Sequence, residues 1–248
     1  MGPRLKNKFP LEGIKRGAIM RYQLSLSSRL GRPVSCEGVL VDIQNSPIPP
    51  QLQRKVASGR YEGAERRLIN DHLPRTNDVI ELGAGIGVVA ATIDKVLHSN
   101  VTQVAVEPNK IVLPTLQRTI ELNDADVERI QAAYSPSSSR VALQVPDLFT
   151  GGTTSDSGEG QVVDGVSLRD ITERFEITEF SLVTDIEGAE YQLFSQEYSV
   201  LKDHCARLIV ELHPEKNTNN SDCILFDRDD FNLIKGISGV YVFKNTKF

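Results

Sequence analysis

Residues Val79–Val89 read VIELGAGIGVV, and this stretch says more about the fold than any other in the chain. A continuous aliphatic and β-branched run is typical of a buried parallel strand. Glycines follow at once at Gly83, Gly85 and Gly87, where the missing Cβ lets the backbone approach a ligand closely. A helix predicted for Ile86–Leu97 would direct its free N–H groups and the positive end of its dipole at that ligand. The stretch therefore predicts a strand, a nucleotide-cofactor loop and a helix.

The acidic residues around this loop discriminate between cofactors. Gly85, Gly87 and Ala90 fit the G-x-G-x-x-A spacing of dinucleotide enzymes, but Glu81 would put a carboxylate near the pyrophosphate. Glu107 ends the next predicted strand about 20 residues after Gly87, the interval at which an acid accepts hydrogen bonds from ribose hydroxyls. Two such acids suit S-adenosylmethionine, with Glu81 near its methionine part and Glu107 on its ribose.

Composition limits the class of protein and its partners. The 248 residues are 40% hydrophobic and 25% charged, which predicts a soluble enzyme with one large domain, residues 61–248, behind an N-terminal cap, residues 1–60. The net charge of −5 disfavours a nucleic-acid partner and favours a small-molecule substrate. The three cysteines lack a metal or disulfide spacing, and no apolar run reaches the ~18 residues of a membrane span. We therefore expect a cytoplasmic protein with no membrane partner; the oligomeric state stays open.

Short β-branched runs alternate with amphipathic runs from Val79 onward, which predicts βαβ units and a parallel sheet. The predicted strands are Val79–Leu82, Gln103–Val106, Arg129–Ala133, Ser181–Asp185, Arg207–Leu212 and a closing strand, Gly239–Lys244, whose position at the edge allows antiparallel pairing. Further predicted helices are Ser167–Phe175, Ala189–Tyr198 and one that Asn109 caps and that runs to Leu122. Pro114 counts against this last helix, because a proline beyond the first turn removes a backbone hydrogen bond. Two polar stretches, Gly151–Gly160 and Glu215–Asp222, are predicted loops.

The catalytic candidates follow the fourth and fifth of these strands. SLVTDIEGAE places Asp185 and Glu187 after a strand that we expect beside the first one, so Asp185 should lie close to Glu81. A carboxylate there can accept a proton from a hydroxyl nucleophile or position it. RLIVELHP adds His213 as a general-base candidate. The structural alternatives are a helix N-cap for Asp185, a first-turn charge for Glu187 and a structural His213. No ligand spacing specifies a metal, and we predict none.

With these residues placed, the chain resembles the FkbM-type S-adenosylmethionine-dependent methyltransferases. The resemblance runs over Arg60–Pro214 through RYEGAERRLINDHL, VIELGAGIGVVAA, VAVEPN, the VSLRDI segment, LVTDIEGAEYQLF and LIVELHP, of which DIEGAE is the most specific. It implies a class I methyltransferase fold: a Rossmann-like, doubly wound α/β structure with a mostly parallel seven-stranded sheet and helices on both faces. It also implies O-methylation of a small hydroxylated metabolite or sugar.

The resemblance also implies cofactor-binding residues. The full set of predicted cofactor contacts is Glu81, Gly83, Ala84, Gly85, Gly87, Glu107, Pro108, Ala133 and Asp185. The chain departs from the family pattern with Glu81 for Asp, Gly85 for Asn, Val183 for Lys and Arg169 for Asp. The first two departures are compatible with cofactor binding, whereas the last two leave the substrate class open. Two rival functions remain: a nicotinamide-dependent oxidoreductase, and a non-catalytic member of the methyltransferase fold.

Overall fold

The structure is a computed structural model that describes residues 9–144, 153–155, 160–213 and 229–248. The helices in these ranges are α1 Phe9–Leu30, α2 Pro50–Ala57, α3 Gly63–His72, α4 Val88–Val96, α5 Leu113–Leu122, α6 Leu168–Arg174, α7 Glu190–Gln196 and α8 Tyr198–His204. The strands are β1 Val34–Cys36, β2 Val39–Val41, β3 Asp78–Leu82, β4 Gln103–Val106, β5 Glu128–Ile130, β6 Ala133–Tyr134, β7 Arg140–Gln144, β8 Thr153–Ser155, β9 Gln161–Val166, β10 Phe180–Thr184, β11 Cys205–Glu211, β12 Phe231–Ile237 and β13 Val240–Asn245. Among the helices described, none is both long and apolar enough to cross a bilayer.

The central sheet has seven strands in the order β12-β13-β11-β10-β3-β4-β5. The five strands from β11 to β5 are parallel, and β13 joins β11 in antiparallel pairing. Because β3 lies between β4 and β10, their carboxyl ends meet at one edge of the sheet. This is the edge at which open α/β sheets bind ligands. The predicted α/β class and mostly parallel seven-stranded sheet are confirmed.

Apolar side chains are buried on both faces of this sheet. Ile80 and Leu82 of β3 pack in the cluster that contains Leu168 of α6 and Phe194 of α7. Val79 belongs to the cluster on the opposite face, which is built on α3 and α4. Successive side chains of a strand point to opposite faces, so β3 contributes to both layers. The helices therefore cover both faces, as expected for a doubly wound fold.

Several predicted elements need correction. The helix expected from Asn109 begins only at Leu113, because Asn109 Oδ1 accepts the Ile111 N–H in a preceding turn. Pro114 then stands in the first turn, where no intrahelical N–H is lost. The predicted strand Arg129–Ala133 is divided between β5 and β6, and β6 pairs with β9 in a separate small sheet.

Other corrections concern the end of the sheet and the predicted loops. The closing strand is confirmed as antiparallel, but β12, which was not predicted, occupies the edge outside it. Within the predicted loop Gly151–Gly160, Thr153–Ser155 forms strand β8, and part of that stretch lies outside the described residues. The predicted loop Glu215–Asp222 lies entirely outside them. The predicted helix Ala189–Tyr198 is divided between α7 and α8.

The N-terminal segment, in which no periodic element was expected, contains α1, a β1-β2 hairpin and α2. Val34, Val41 and Val56 from this segment pack with Ile86 and Val88 beside the glycine loop. A buried arginine of α3 holds the segment in place: Arg66 donates hydrogen bonds to the backbone oxygens of Cys36, Gly59 and Tyr61. The segment is thereby joined to the wall of the site described next.

Candidate active site

The glycine loop runs from the end of β3 to the start of α4, and its three glycines have positive φ angles of 90°, 53° and 82°. The position of Gly83 is the most restricted, because a Cβ added there would lie 1.9 Å from the carbonyl oxygen of Asp185. The loop is tied to β4 by the N–H groups of Gly83 and Ala84, which both donate to Val106 O at 2.9 and 3.0 Å. Only glycine at residue 83 lets the tips of β3 and β10 approach this closely.

Glu107 connects the tip of β4 to this loop. Its Oε2 accepts the Gly85 N–H and its Oε1 accepts the Asn109 N–H, both at 2.7 Å. Burial raises the pKa of the carboxyl, while the two backbone donors oppose that shift. A carboxylate offers about four acceptor positions, so two are left for hydroxyl groups of a ligand. Glu107 is therefore oriented by the protein and still able to accept.

The segment after β10 forms a tight acidic turn. The Asp185 N–H donates to Leu82 O at 3.0 Å, which continues the pairing of β10 with β3. Glu190 closes the turn, since its two carboxylate oxygens accept the N–H groups of Ile186 and Gly188 at 2.9 Å. Glu187, between them, has a left-handed φ of 53°. Non-glycine residues adopt such angles when the surrounding contacts determine the conformation.

His213, just beyond β11, lies among these carboxylates. Its Nδ1 is 3.4 Å from Glu190 Oε1, and its Nε2 is 3.4 Å from Glu187 Oε2 and 3.8 Å from Asp185 Oδ1. The hydrogen bond to Glu190 and the neighbouring negative charges raise the pKa of His213 to about 9, against the effect of burial. An imidazole with that pKa is protonated at neutral pH, so it donates rather than accepts a proton.

Asp185 is surrounded mainly by other acidic groups. Burial, and then the charges of Glu211 and Glu62, raise the pKa of its carboxyl well above the usual value, while His213 lowers it. Its Oδ1 is buried and has no hydrogen-bond partner among the described residues. A carboxylate with a raised pKa is a stronger proton acceptor at neutral pH than an ordinary aspartate. Of the two residues, Asp185 is therefore the better base.

One cavity connects these groups. Its empty space is about 1000 Å³ when the open mouth is included. The glycine loop, Glu107, Asp185 and Glu187 all line it. Apolar surface comes from Ala132, Ala133, Tyr134 and Leu143. The site thus combines oriented carboxylates with an apolar slot.

Most of the residues predicted from the sequence lie on this cavity. They are Gly83, Ala84, Gly85, Glu107, Pro108, Ala133, Asp185 and Glu187. Gly87 is not on the wall; it precedes α4 and faces Leu116. His213 is joined to the wall through Asp185 and Glu187. These assignments as contacts or catalytic groups stay predictions.

Glu81 is not on the cavity wall. Strand β3 continues one residue beyond it to Leu82, and alternation turns the Glu81 side chain to the face of Val79. Glu81 is 1% exposed, and neither carboxylate oxygen has a hydrogen-bond partner within the described residues. Burial, with a smaller contribution from Glu107, raises its pKa to about 8. A direct contact of Glu81 with a cofactor stays a prediction.

Sequence reasoning gave no role to three residues of the cavity wall, Tyr61, Glu62 and Glu65. A Cβ at Gly85 would lie 3.2 Å from Tyr61 Oη, so this tyrosine covers the glycine loop. Glu62 precedes α3 with a left-handed φ of 45°, and Glu65 is buried one turn later. The available signal was the motif RYEGAERR, which places two glutamates three residues apart and therefore on one helix face.

Two sets of side chains bring three ligand atoms within 4.8 Å of one another, a spacing compatible with a metal ion. One set is Asp185, Glu190 and His213; the other is Glu62, Asp185 and Glu211. Their members come from separate segments, so no local sequence spacing could have indicated them.

The fold and this cavity define an α/β protein with a mostly parallel sheet and a candidate site at the carboxyl edge of that sheet. The chain belongs to the methyltransferase FkbM domain family, whose model matches residues 81–233. This establishes the family that the sequence resemblance suggested and supports a transferase over an oxidoreductase. No curated protein matches the chain.

Solved structures show distant similarity. A conserved hypothetical protein of Streptococcus pyogenes is 14% identical over 75% of this chain and 96% of its own, with a TM-score of 0.43. TYW2 of M. jannaschii, in complex with AdoMet, is 15% identical over 84% of each chain, with a TM-score of 0.42. Magnesium protoporphyrin IX methyltransferase (ChlM) of Synechocystis PCC 6803, with bound SAM, is 10% identical over 95% of this chain and 97% of its own, with a TM-score of 0.48.

Proposed function

We propose that this protein transfers a methyl group from S-adenosylmethionine to an oxygen of a small hydroxylated metabolite or sugar. One observation carries the proposal: a single cavity is lined by the glycine loop and Glu107 and also by Asp185 and Glu187. The glycine loop and Glu107 suit a nucleoside, whereas Asp185 and Glu187 suit a positively charged group and a reacting hydroxyl. Membership of a methyltransferase family supports the reaction class.

The residues of the cavity fit such a cofactor. Glu107 has acceptor positions free for ribose hydroxyls, and the backbone donors that hold it prevent its rotation away. Ala133, Tyr134 and Leu143 offer apolar surface to a purine ring. Asp185, whose Oδ1 has no hydrogen-bond partner within the described residues, is suited to a neighbouring ammonium or sulfonium group. Carboxylates and apolar surface in one cavity match a ligand that carries hydroxyls, an apolar ring and a positive charge.

The bound cofactor supplies an electrophilic methyl group: the acceptor oxygen forms a C–O bond as the C–S bond breaks, and S-adenosylhomocysteine leaves. The hydroxyl proton must go to a base, and Asp185 is that base, because its raised pKa favours proton uptake at neutral pH. Protonated His213 holds Asp185 and Glu187 in place through its Nε2. Alignment in the cavity supplies much of the rate, since orientation alone can provide about 7 to 11 kcal/mol of a barrier.

The acceptor class follows from the charge of the cavity. Its lining includes Glu62, Glu65, Asp185 and Glu187, which disfavours phosphorylated acceptors and nucleic acids by charge repulsion. Hydroxyl groups can donate hydrogen bonds to these carboxylates. The proposed acceptor is therefore small, rich in hydroxyl groups and without anionic groups.

The test is methyl transfer from methyl-labelled S-adenosylmethionine to panels of small acceptors. Panels of sugars and other polyols are compared with panels of primary amines, and S-adenosylhomocysteine release is measured in parallel. We expect labelled O-methyl products that disappear in Asp185→Asn and persist in the control Glu173→Gln, an exposed acid of α6. Transfer only to amines would contradict the acceptor class. Cofactor binding without any transfer would favour a non-catalytic member of the family.

A further inference from the structure

The structure assigns a divalent-cation site to Glu62, Asp185 and Glu211, where the main cavity adjoins a neighbouring groove. Ligand oxygens of these three residues lie within 4.8 Å of one another. The residues come from the start of α3, the turn after β10 and the end of β11. All three are partly exposed, so an ion can reach them from solvent. The inference rests on the proposed function, because it names what would hold the acceptor oxygen.

The positive charge around this trio does not balance it. His213 lies 3.8 Å from Asp185, but its two ring nitrogens are already shared among Asp185, Glu187 and Glu190. Lys55 acts on Glu62 and Glu211 only at longer range, since it makes no ion pair within 4.0 Å in the described structure. Three converging carboxylates without a cation repel one another. A dication between them would remove that repulsion.

A second, independent observation comes from Glu65. This side chain is 3% exposed and makes no hydrogen bond or ion pair with any described residue. It lines the main cavity together with Glu62 and Asp185, and it lines an adjoining groove together with Glu62 and Glu211. A buried carboxylate without a partner is costly. Its place beside all three proposed ligands indicates that a positively charged ligand belongs there.

The alternative set, Asp185 with Glu190 and His213, is less suited to a metal. Both oxygens of Glu190 already accept backbone N–H groups, and the side chain is 0% exposed. His213 directs Nδ1 at that same carboxylate. These contacts close the turn after β10 and leave Glu190 in a structural role.

Three carboxylate oxygens are hard ligands, which favours Mg²⁺, Mn²⁺ or Ca²⁺ over Zn²⁺. Three protein ligands leave coordination positions for a hydroxyl of the acceptor. The cation would lower the pKa of that hydroxyl, and its proton would pass to water or to the unligated oxygen of Asp185. No metal ligands were predicted from the sequence, because no ligand spacing specified them.

The experiment is a titration of metal-free full-length protein with Mn²⁺ alone, followed by the electron paramagnetic resonance signal of free Mn²⁺. We expect one ion per chain with a dissociation constant below the millimolar range, and competition by Mg²⁺. Glu211→Gln and Asp185→Asn should each weaken binding at least tenfold, whereas Glu173→Gln should not change it. Circular dichroism confirms that each variant is folded. Because Glu211 ends a strand and is partly exposed, its variant keeps the test valid if Asp185→Asn does not fold.

Three results would overturn the assignment. The first is no Mn²⁺ binding below the millimolar range in the wild type, and the second is unchanged Mn²⁺ binding in folded Glu211→Gln. The third is loss of Mn²⁺ binding in His213→Ala while Glu211→Gln still binds the ion. Cofactor titration with a chelator present separates this inference from the proposed function. S-adenosylmethionine binding and methyl transfer without any ion would refute the metal site and leave the function intact. Mn²⁺ binding with no cofactor binding would refute the function alone.

Discussion

Replacement of Gly83 by alanine tests the geometry that brings the tips of β3 and β10 together. The new Cβ would lie 1.9 Å from the carbonyl oxygen of Asp185 and 2.9 Å from its carbonyl carbon, both of them backbone atoms that cannot rotate away. Gly239 is a matched control. It has the same φ of 90°, but nothing lies within 4 Å of a Cβ built there.

The difference between the two variants isolates the steric contact. Both should lose about 1 to 2 kcal/mol, because an alanine is strained at that φ. Gly83→Ala should lose a further 1 to 3 kcal/mol, roughly the cost of forcing extra volume into a packed site. The chain has no tryptophan, so urea unfolding is followed by far-UV circular dichroism and tyrosine fluorescence. With a slope of about 3 kcal/mol/M, an additional 2 kcal/mol lowers the midpoint by roughly 0.7 M.

The same pair gives a functional readout. The clash in Gly83→Ala must displace either the glycine loop or the Asp185 backbone, so we expect weaker binding of S-adenosylmethionine under conditions where the variant is still folded. Gly239→Ala should bind like the wild type. Equal losses of stability in the two variants, with equal cofactor affinity, would refute the close approach of the two strand tips.

Three further substitutions test individual carboxylates. Burial raises the pKa of Glu81 to about 8. Between about pH 4.5 and 8 the folded state therefore keeps the proton of Glu81, whereas the unfolded state releases it. The free energy of unfolding should fall as pH rises through that window. Glu81→Gln should remove the contribution of Glu81 to this pH dependence and be more stable than the wild type at pH 8 by a few kcal/mol. If chemical denaturation gives the same pH dependence for both proteins, Glu81 is not buried without a partner. Asp185→Asn should lower kcat about 100- to 10,000-fold in steady-state assays with little change in cofactor affinity; full turnover would shift the role of base to another group. Glu107→Ala should weaken cofactor binding by about 1 to 3 kcal/mol in calorimetry, and an unchanged dissociation constant would remove Glu107 from the site.

The sheet was predictable where strands are buried on both faces. β3, β4 and β10 are mainly apolar because helices cover both faces of the sheet, and that composition is readable without any alternation. β12 has an exposed middle and no such run, so the sequence does not distinguish it from a loop. The small sheet formed by β6 to β9 depends on pairing between distant short segments, which local patterns do not encode.

The site was predictable to the extent that it lies at strand tips. Glu107 and Asp185 each follow a strand of the central sheet, and topology brings such tips together. Glu81 lies within β3 and not beyond its end, so the alternation of side chains places it on the face of Val79. Glu62 and Glu65 reach the cavity through tertiary contacts of α3, including the bond of Arg66 to Cys36 O across thirty residues. No local pattern could place them there.

The most direct test of the account is calorimetric titration of the folded protein with S-adenosylmethionine and, separately, with NADH. The account predicts one molecule of S-adenosylmethionine bound per chain, weaker binding in Glu107→Ala, unchanged binding in the exposed control Glu128→Ala, and no heat from NADH. Absence of S-adenosylmethionine binding at millimolar concentration, in protein shown to be folded, would contradict it.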